Sequence, residues 1–387
     1  MEPTAHHQEE SSAGGLYVAL ELSAAEWRLA YSVSQQARAT QVVVQAGDRV
    51  QWDRVIRGAL AQHGLADAVA IWSCYEAGRD AFWVHRWLTA AGVHNVVVDS
   101  ASIEVNRRAR RAKTDRLDAA QLLRLLIRAR GGERGVWQEV HVPAAAVEDA
   151  RHAGRTQSMV TQERTRYRNR LHQLLATQQV SLDIDDPAFL TQLATASTGV
   201  GTPVGPGLRT RVALCYRLWQ AIEAERRQLE AAQHAALRAA DTPVAAGARK
   251  LAQVRGVGER FAWVLSSEVC ARDLHNRRQV GALTGFTPVP YQSGASDRDQ
   301  GVSGAGIPAI RALAVEMAWV WIQWQPDSTI TRWFHQRFAH AGRRARRVGI
   351  VAVARRLVIA LWRYHRDDVL PAGAVLKPAG TAARQPA

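Results

Sequence analysis

LYVALELSAAEWRLAYSVSQQARATQVVVQ, residues 16–45, is the stretch on which the fold turns. It holds three short β-prone runs, Leu16–Leu22, Trp27–Val33 and Thr40–Gln45, separated by turn segments. Connections this short allow only antiparallel pairing of neighbours, so the three runs predict a meander. After Gln45 the pattern alternates between helix and strand. It predicts a helix over Asp48–His63, a strand over Ala68–Ser73, a helix over Arg79–Ala91, a strand over Val93–Val98 and a helix from Thr114 to Ala129. Strands separated by helices join a sheet in parallel through crossovers. The order βββαβαβα is that of an RNase H-like α/β domain, placed here over residues 15–130.

Downstream the character changes. Val147–Gln179 and Arg211–Ala240 have helical periodicity with interleaved charges, and they predict two long antiparallel helices, a coiled-coil arm over 145–240. Two readings of the arm stand side by side, a helical spacer and a dimerisation element. Residues 245–370 read as a basic, mainly helical domain, with residues 1–14 and 371–387 as disordered tails poor in large apolar side chains.

The 387 residues carry a net charge of +15, and between Arg249 and Asp368 there are 19 Arg and Lys against 9 Asp and Glu. An excess concentrated in one segment points to a polyanionic partner rather than to a uniformly basic composition. Cys74, Cys215 and Cys270 have no metal-binding spacing, which argues against a zinc site or a disulfide framework and fits a reducing cytoplasm. The polar, acidic N-terminus is not a signal peptide. The apolar run Val348–Trp362 is interrupted by Arg355 and Arg356 and is too short and charged to span a bilayer.

Metal-dependent phosphoryl transfer needs carboxylates converging on one point, because Mg2+ takes hard oxygen ligands. In the predicted sheet the first strand, the end of the fourth strand and the last helix would supply them. Glu21 lies near the end of the first strand in YVALELS, and Glu76 follows the fourth in IWSCYEAG. Asp115 and Asp118 open the last helix in KTDRLDA, on one helical face. Taken alone, Asp115 and Asp118 read as helix-capping acids, Glu76 as a loop acid and Glu21 as an edge charge. Their joint placement at the expected points of one fold favours a site for Mg2+ (or Mn2+).

The run KTDRLDA and the acid-Ala-Gly of Glu76–Gly78 resemble DEDD-type insertion-sequence transposases related to Piv DNA invertases. The resemblance covers residues 15–365. It implies a RuvC-like N-terminal domain, a helical connector, a C-terminal transposase domain with a catalytic serine, and a structured noncoding bridge RNA that guides recognition of DNA. The family's first acid is usually Asp, whereas this chain has Glu21, one methylene longer.

The second part of the resemblance lies in GALTGFTPVPYQSGASDRDQGVSGAGIPAIRALAVEMAW. Its Gln-Ser-Gly implies Ser293 as the nucleophile that attaches to DNA, and Arg311 corresponds to an arginine at the head of the following helix. Read without the resemblance, Gln292-Ser293-Gly294 is a surface turn. Gly304 and Ile307 stand where the family usually has Lys and Asn. Upstream, Val254-Arg255-Gly256-Val257-Gly258 resembles a helix-hairpin-helix turn whose Gly256 and Gly258 let backbone approach a phosphate; a tight helix–helix turn without ligand fits equally. Phosphate contacts are assigned to Arg343, Arg344, Arg346 and Arg347, to Arg355 and Arg356, and to Arg107, Arg108, Arg110, Arg111 and Lys113 beside the acids. Trp319, Trp321 and Trp324 cannot share one helix face, so one of them is available to stack on a base.

The sequence therefore reads as a bacterial, nucleoid-associated DNA transposase. Its partners would be DNA and a guide RNA, and it would act as a homodimer or dimer of dimers without a membrane. Its rivals are a RuvC-like junction nuclease that needs only the four acids and a decayed copy that only binds nucleic acid. The charge pattern makes one prediction. The affinity for a DNA duplex falls steeply with salt, log K against log salt having a slope of about −0.9 for each phosphate neutralised. Titrations at several salt concentrations read this slope, and a value near zero would remove the case for a basic nucleic-acid face.

Overall fold

β1, Leu16–Leu22, is the central strand of a five-stranded sheet, and its two faces explain the N-terminal unit. Leu16, Val18 and Leu20 are fully buried on one face; Ala19 is fully buried on the other. A strand with both faces covered reads as a near-continuous apolar run. The computed structural model describes residues 15–78, 81–103, 115–239, 241–293, 296–338 and 340–378. Contacts divide the chain into two units that meet at Pro143 and Ala144.

In the first unit, β2 (Glu26–Ser32) and β3 (Thr40–Gln45) complete an antiparallel meander with β1. Helix α1 (Arg49–Gln62) follows, started by Asp48, whose carboxylate accepts from the Gln51 amide at 2.9 Å. It buries Trp52, Ile56, Ala59 and Leu60, one stripe at helical spacing. β4 (Ile71–Glu76) returns parallel to β1; after α2 (Ala81–Ala90), β5 (His94–Val98) adds parallel to β4. The strand order is β3-β2-β1-β4-β5, a mixed sheet. β4 begins three residues later than its apolar run suggests, because residues 66–69 close a turn, with the Val69 amide donating to the Ala66 carbonyl at 3.1 Å. Glu76 is thereby the last residue of the strand rather than the residue after it.

Helix α3 (Asp115–Arg130) lies on the Ala19 face, where Ala119, Leu122, Leu123 and Leu126 pack on Ala19, Ala30, Cys74 and Val98. On the opposite face Leu16, Val18, Leu20, Leu29, Val84 and Leu88 belong to a second core. The chain then runs back beside β5, the Val140 amide donating to Val97 at 2.7 Å, which covers the sheet's edge strand.

In the second unit, α4 (Ala145–Ala176) and α6 (Pro206–Ala239) are long antiparallel partners. Their outer ends form a core with α5 (Phe189–Thr195) from Leu171, Leu175, Ile184, Phe189, Tyr216 and Trp219. Midway, Glu223 bonds Arg226 at 2.7 Å and pairs with Arg164 across the helices. These guanidinium contacts, Arg226 first, hold its carboxyl down to about 2. At their inner ends both helices merge with the C-terminal core, where Leu237 is buried and Val147 and Ala150 pack.

That core is built by α7 (Pro243–Ala252), α8 (Glu259–Leu265) with a π-helical turn at Ser266–Cys270, α9 (Arg277–Leu283), α10 (Pro308–Trp324), α11 (Thr329–Phe338) and α12 (Arg343–Asp367). Two features depart from the expectation. First, the segment is not wholly helical: β6 (Pro288–Ser293) and β7 (Ser296–Val302) form an antiparallel hairpin. Pro288 and Pro290 lack the amide protons a helix needs, and a register shift separates them.

Second, residues 371–378, read as part of a tail, are packed. Gly373, at φ +75°, sits where a Cβ would meet the Asp327 carbonyl oxygen at 2.5 Å, and Ala374 is buried. The Arg255 amide donates to Val375 at 3.0 Å and the Lys377 amide to Gln253 at 2.7 Å. Buried Gln325 donates through Nε2 to the carbonyls of Arg255 (2.8 Å) and Val375 (2.9 Å) and accepts from the Val375 amide (2.9 Å). Main-chain hydrogen bonds, rather than burial of large apolar side chains, hold this segment: Val375 and Leu376 both stay nearly half exposed.

This clasp yields a stability prediction. A chain ending at Leu370 removes both Val375 partners of the Gln325 amide and the main-chain bonds of Arg255 and Gln253, leaving Gln325 only its bond to the Arg255 carbonyl, and is expected to lose on the order of 3 kcal/mol in denaturant unfolding. A chain ending at Pro378 is expected to unfold like the full chain. Equal stability of all three would show that the clasp contributes nothing.

Candidate functional site

The acids of the first unit are set by strand register. β1 and β4 are adjacent and parallel, with Leu20 opposite Tyr75, so Glu21 and Glu76 stand at the same level at the carboxyl ends of the two strands. Alternation puts Glu21 on the face of Tyr17 and Ala19, and Glu76 on the face of Trp72 and Cys74. Both faces are the α3 side of the sheet. The two acids are half-buried and line a cleft of about 250 Å3 with Leu22, Ser23, Ala24, Ala77 and Gly78.

Helix α3 runs antiparallel to β4. Its last residue, Arg130, lays its guanidinium 3.9 Å over the Trp72 ring, and the Leu122 carbonyl accepts from the Cys74 thiol at 3.7 Å. Burial pushes that thiol far above its ordinary range, so it stays neutral. From these two anchors, Asp118 lies one helical turn beyond Leu122, and Glu76 two strand residues beyond Cys74. The advances are about 6 Å along the helix and about 6.6 Å along the strand. Asp118, half-buried, is thus delivered to the same edge of the sheet as Glu76. Asp115 opens α3, and its side chain lies outside the described residues, as do Arg107, Arg108, Arg110, Arg111 and Lys113 altogether. Among the described residues, no group of three or more His, Cys, Asp or Glu is placed to hold a metal ion. The structure brings Glu21 and Glu76 into one cleft and Asp118 to the same edge of the sheet. Carboxylate oxygens from neighbouring strands, backbones about 4.8 Å apart, are the donor type a hard divalent cation takes.

In the second unit, Ser293 ends β6 and pairs in register with Ser296, so it stands at the hairpin turn; its side chain and residue 294 lie outside the described residues. Arg311, on α10, donates through Nη1 to the Gly304 carbonyl at 2.9 Å, which ties it to the turn between β7 and α10. Gly304 adopts φ +66° and Gly306 φ +107°; there, added Cβ atoms are strained, so glycine at 304 fits this turn.

The turn Val254–Gly258 joins α7 to α8. Gly256 has φ +82°, and a Cβ there would sit 2.9 Å from the Trp324 Cβ, so its glycine is needed for packing as well as conformation. Gly258 precedes α8 and has open space around it. Arg255 is exposed, its guanidinium 5.4 Å over Trp324. Of the three tryptophans of α10, Trp321 is fully buried, whereas Trp319 and Trp324 are about half exposed.

Arg343, Arg344, Arg346 and Arg347 open α12 and are all exposed; among the described residues their side chains make no hydrogen bond or ion pair. Four cations at the positive end of a 25-residue helix repel one another and the helix dipole, and an anion relieves both. Arg356 covers Trp333 at 3.8 Å instead.

One charged group escaped the sequence reading. Glu268, buried in the π-helical turn, lies 2.8 Å from Arg155, 3.5 Å from Arg151 and 3.6 Å from Arg272. Burial lowers the pKa of the Arg151 guanidinium. The only signal in the sequence was an acid inside an apolar helix, LSSEV.

Comparison with known proteins adds to this geometry. The pattern of the family described as Transposase IS116/IS110/IS902 family matches residues 248–339, which hold the glycine turn, the β6–β7 hairpin and α10. A protein of Sinorhizobium fredii (strain NBRC 101917 / NGR234), described as "Putative transposase y4rJ", is 38% identical over 384 residues, covering 94% of this chain and 95% of its own. That similarity extends over most of both units. The chain belongs to the IS116/IS110/IS902 family of transposases.

Proposed function

We propose that this transposase cuts and rejoins DNA by metal-assisted phosphoryl transfer, using Glu21, Glu76, Asp115 and Asp118 together with the hydroxyl of Ser293. The observation that carries the reading is the pairing of Glu21 and Glu76 at one level of adjacent parallel strands, with α3 leading Asp118 to the same edge. The strand order and the packing of α3 support an RNase H-like, RuvC-like assignment of the first unit. Bound Mg2+ (or Mn2+) would neutralise charge on the scissile phosphate and favour deprotonation of the attacking oxygen. Glu21, Glu76, Asp115 and Asp118 would hold the ion, and through it the phosphate would be oriented. Ser293 Oγ forms a bond to phosphorus while the bond to the leaving deoxyribose oxygen breaks, and the serine proton moves to the leaving oxygen. The exposed arginines of α12 hold flanking phosphates. A structured noncoding guide RNA and a homodimer or dimer of dimers complete the proposal, the antiparallel α4–α6 pair being the element available for pairing chains.

Cleavage of a plasmid carrying the element's own ends tests it. Glu76→Gln and Ser293→Ala are each expected to lower metal-dependent strand cleavage by about 100-fold or more. Full cleavage by Ser293→Ala would point to a junction nuclease that uses only the acids. Salt-sensitive binding without cleavage by the unaltered chain would point to a binding protein. Mixing an Asp115→Ala chain with a Ser293→Ala chain reads the assembly: activity regained in the mixture means that one chain's serine serves the other's acids.

A further inference from the structure

The first unit carries four of the chain's 13 tryptophans in one contiguous patch. Trp27 and Trp52 are all but fully buried, and Trp87 packs against both, at 6.1 and 5.6 Å between ring centroids. Trp83 lies over the outer side of this stack, 5.6 Å from Trp27 and 6.3 Å from Trp87, and remains 39% exposed. The core is already closed by the three inner rings. A fourth indole held rigidly against them, yet open to solvent, is an organised flat surface rather than core filling.

Its place relative to the acids gives that surface a use. Trp27 is the register partner of Leu22, and Leu22 lines the cleft beside Glu21. Directly opposed side chains on neighbouring strands have Cβ atoms about 5 Å apart. The path from the cleft through Leu22 and Trp27 to Trp83 is therefore short, about the reach of one or two nucleotides of a single strand. The acids stand on the α3 face of β1 and β4, and Trp83 on the opposite face, with the turn at residues 23–25 between them. A strand crossing this end of the sheet would meet carboxylates on one side and an indole on the other. Arg49, exposed and 5.6 Å over Trp87, adds a cation beside the patch. Cations interleaved with an exposed aromatic ring are the recognition chemistry of unpaired nucleotides.

We propose that Trp83 is a stacking platform for an unpaired base of the DNA strand whose phosphate occupies the Glu21–Glu76 cleft. The inference rests on the phosphoryl-transfer reading of that cleft. A splayed base packed on a fixed ring cannot slide along the strand direction, so Trp83 acts as a positioning residue. It fixes which phosphate faces the carboxylates without touching the reacting atoms. The interaction uses the π-face that every base has, so it sets position without sequence preference.

Photo-crosslinking of the full chain tests it without requiring catalysis. A single-stranded oligodeoxynucleotide of about 16 residues, with 5-iodouracil in place of thymine, is bound at low salt, irradiated and digested with trypsin. The expected adduct lies on the peptide Asp80–Arg86, DAFWVHR, and is lost in Trp83→Ala. Trp83→Ala is also expected to weaken binding about tenfold, and Trp83→Phe, which keeps a ring on the same core, to retain most of the affinity. No adduct on this peptide, no binding at low salt, or an adduct formed only with the ribo-oligonucleotide would each overturn the proposal. Glu76-dependent cleavage with no adduct at Trp83 removes the platform and leaves the proposed function standing. An adduct without any metal-dependent cleavage does the reverse.

Discussion

The parallel pairing of β1 with β4 is the constraint on which the first unit depends. Leu20 opposite Tyr75 fixes the level of the next residues, and a slip of one residue would turn Glu21 or Glu76 to the other face. That register is held from both sides. Leu16, Val18 and Leu20 are fully buried against the α1 and α2 side, while Ala19 and Cys74 are fully buried beneath α3. The small side chains Ala19 and Ala30 let α3 approach the sheet closely enough for the Leu122 carbonyl to meet the Cys74 thiol. The same contact sets the height of α3, and hence of Asp118. Two acids that are ordinary in isolation become a cleft because apolar packing on both faces leaves the strands one register.

The second unit uses a different means of fixing geometry. Its long helices are joined to the C-terminal core through charge as much as through apolar surface. Arg151 is buried and donates to the Ser267 carbonyl at 3.0 Å, and Glu268 faces three guanidinium groups. Removing one partner of such a buried pair costs about 3–5 kcal/mol, because the other charge is left in a dry interior. Trp263 donates through its indole nitrogen to the Ala150 carbonyl at 2.9 Å, and Gly154 lets Val264 approach the helix. Directional contacts of this kind specify one angle for α4 against the core, where a purely apolar joint would tolerate several.

The glycine turn shows how local conformation and distant chain cooperate. Gly256 takes a backbone shape that side chains rarely adopt, and Trp324 occupies the space a Cβ would need. Gln325, the next residue, bonds the turn's Arg255 carbonyl and the Val375 main chain together. The residues at the end of α10, about 70 positions along the chain, and the 371–378 segment, more than a hundred positions along, therefore hold this turn between them. The exposed side of that turn presents Arg255 over the Trp324 ring.

The sequence by itself determined the mixed sheet, the two long helices and the basic C-terminal segment, because hydrophobic period and charge are local properties. Thr40–Gln45 forms β3 between the residues expected, and α1 runs within the predicted Asp48–His63 span, Asp48 serving as its N-cap. The position of Glu21 and Glu76 at strand ends was likewise legible from the apolar runs before them. Three things required the tertiary structure. Residues 371–378 pack through main-chain hydrogen bonds, which carry no side-chain signature. The hairpin of β6 and β7 interrupts a helical segment because Pro288 and Pro290 exclude helix, a local sign outweighed by the helical pattern around it. The Trp83 patch exists only because register sets Trp27 beside Leu22 and packing gathers residues 27, 52, 83 and 87 from a strand and two helices. Periodicity reports which way a side chain faces within its own element; which other element it meets is decided when the sheet closes and the helices settle on it.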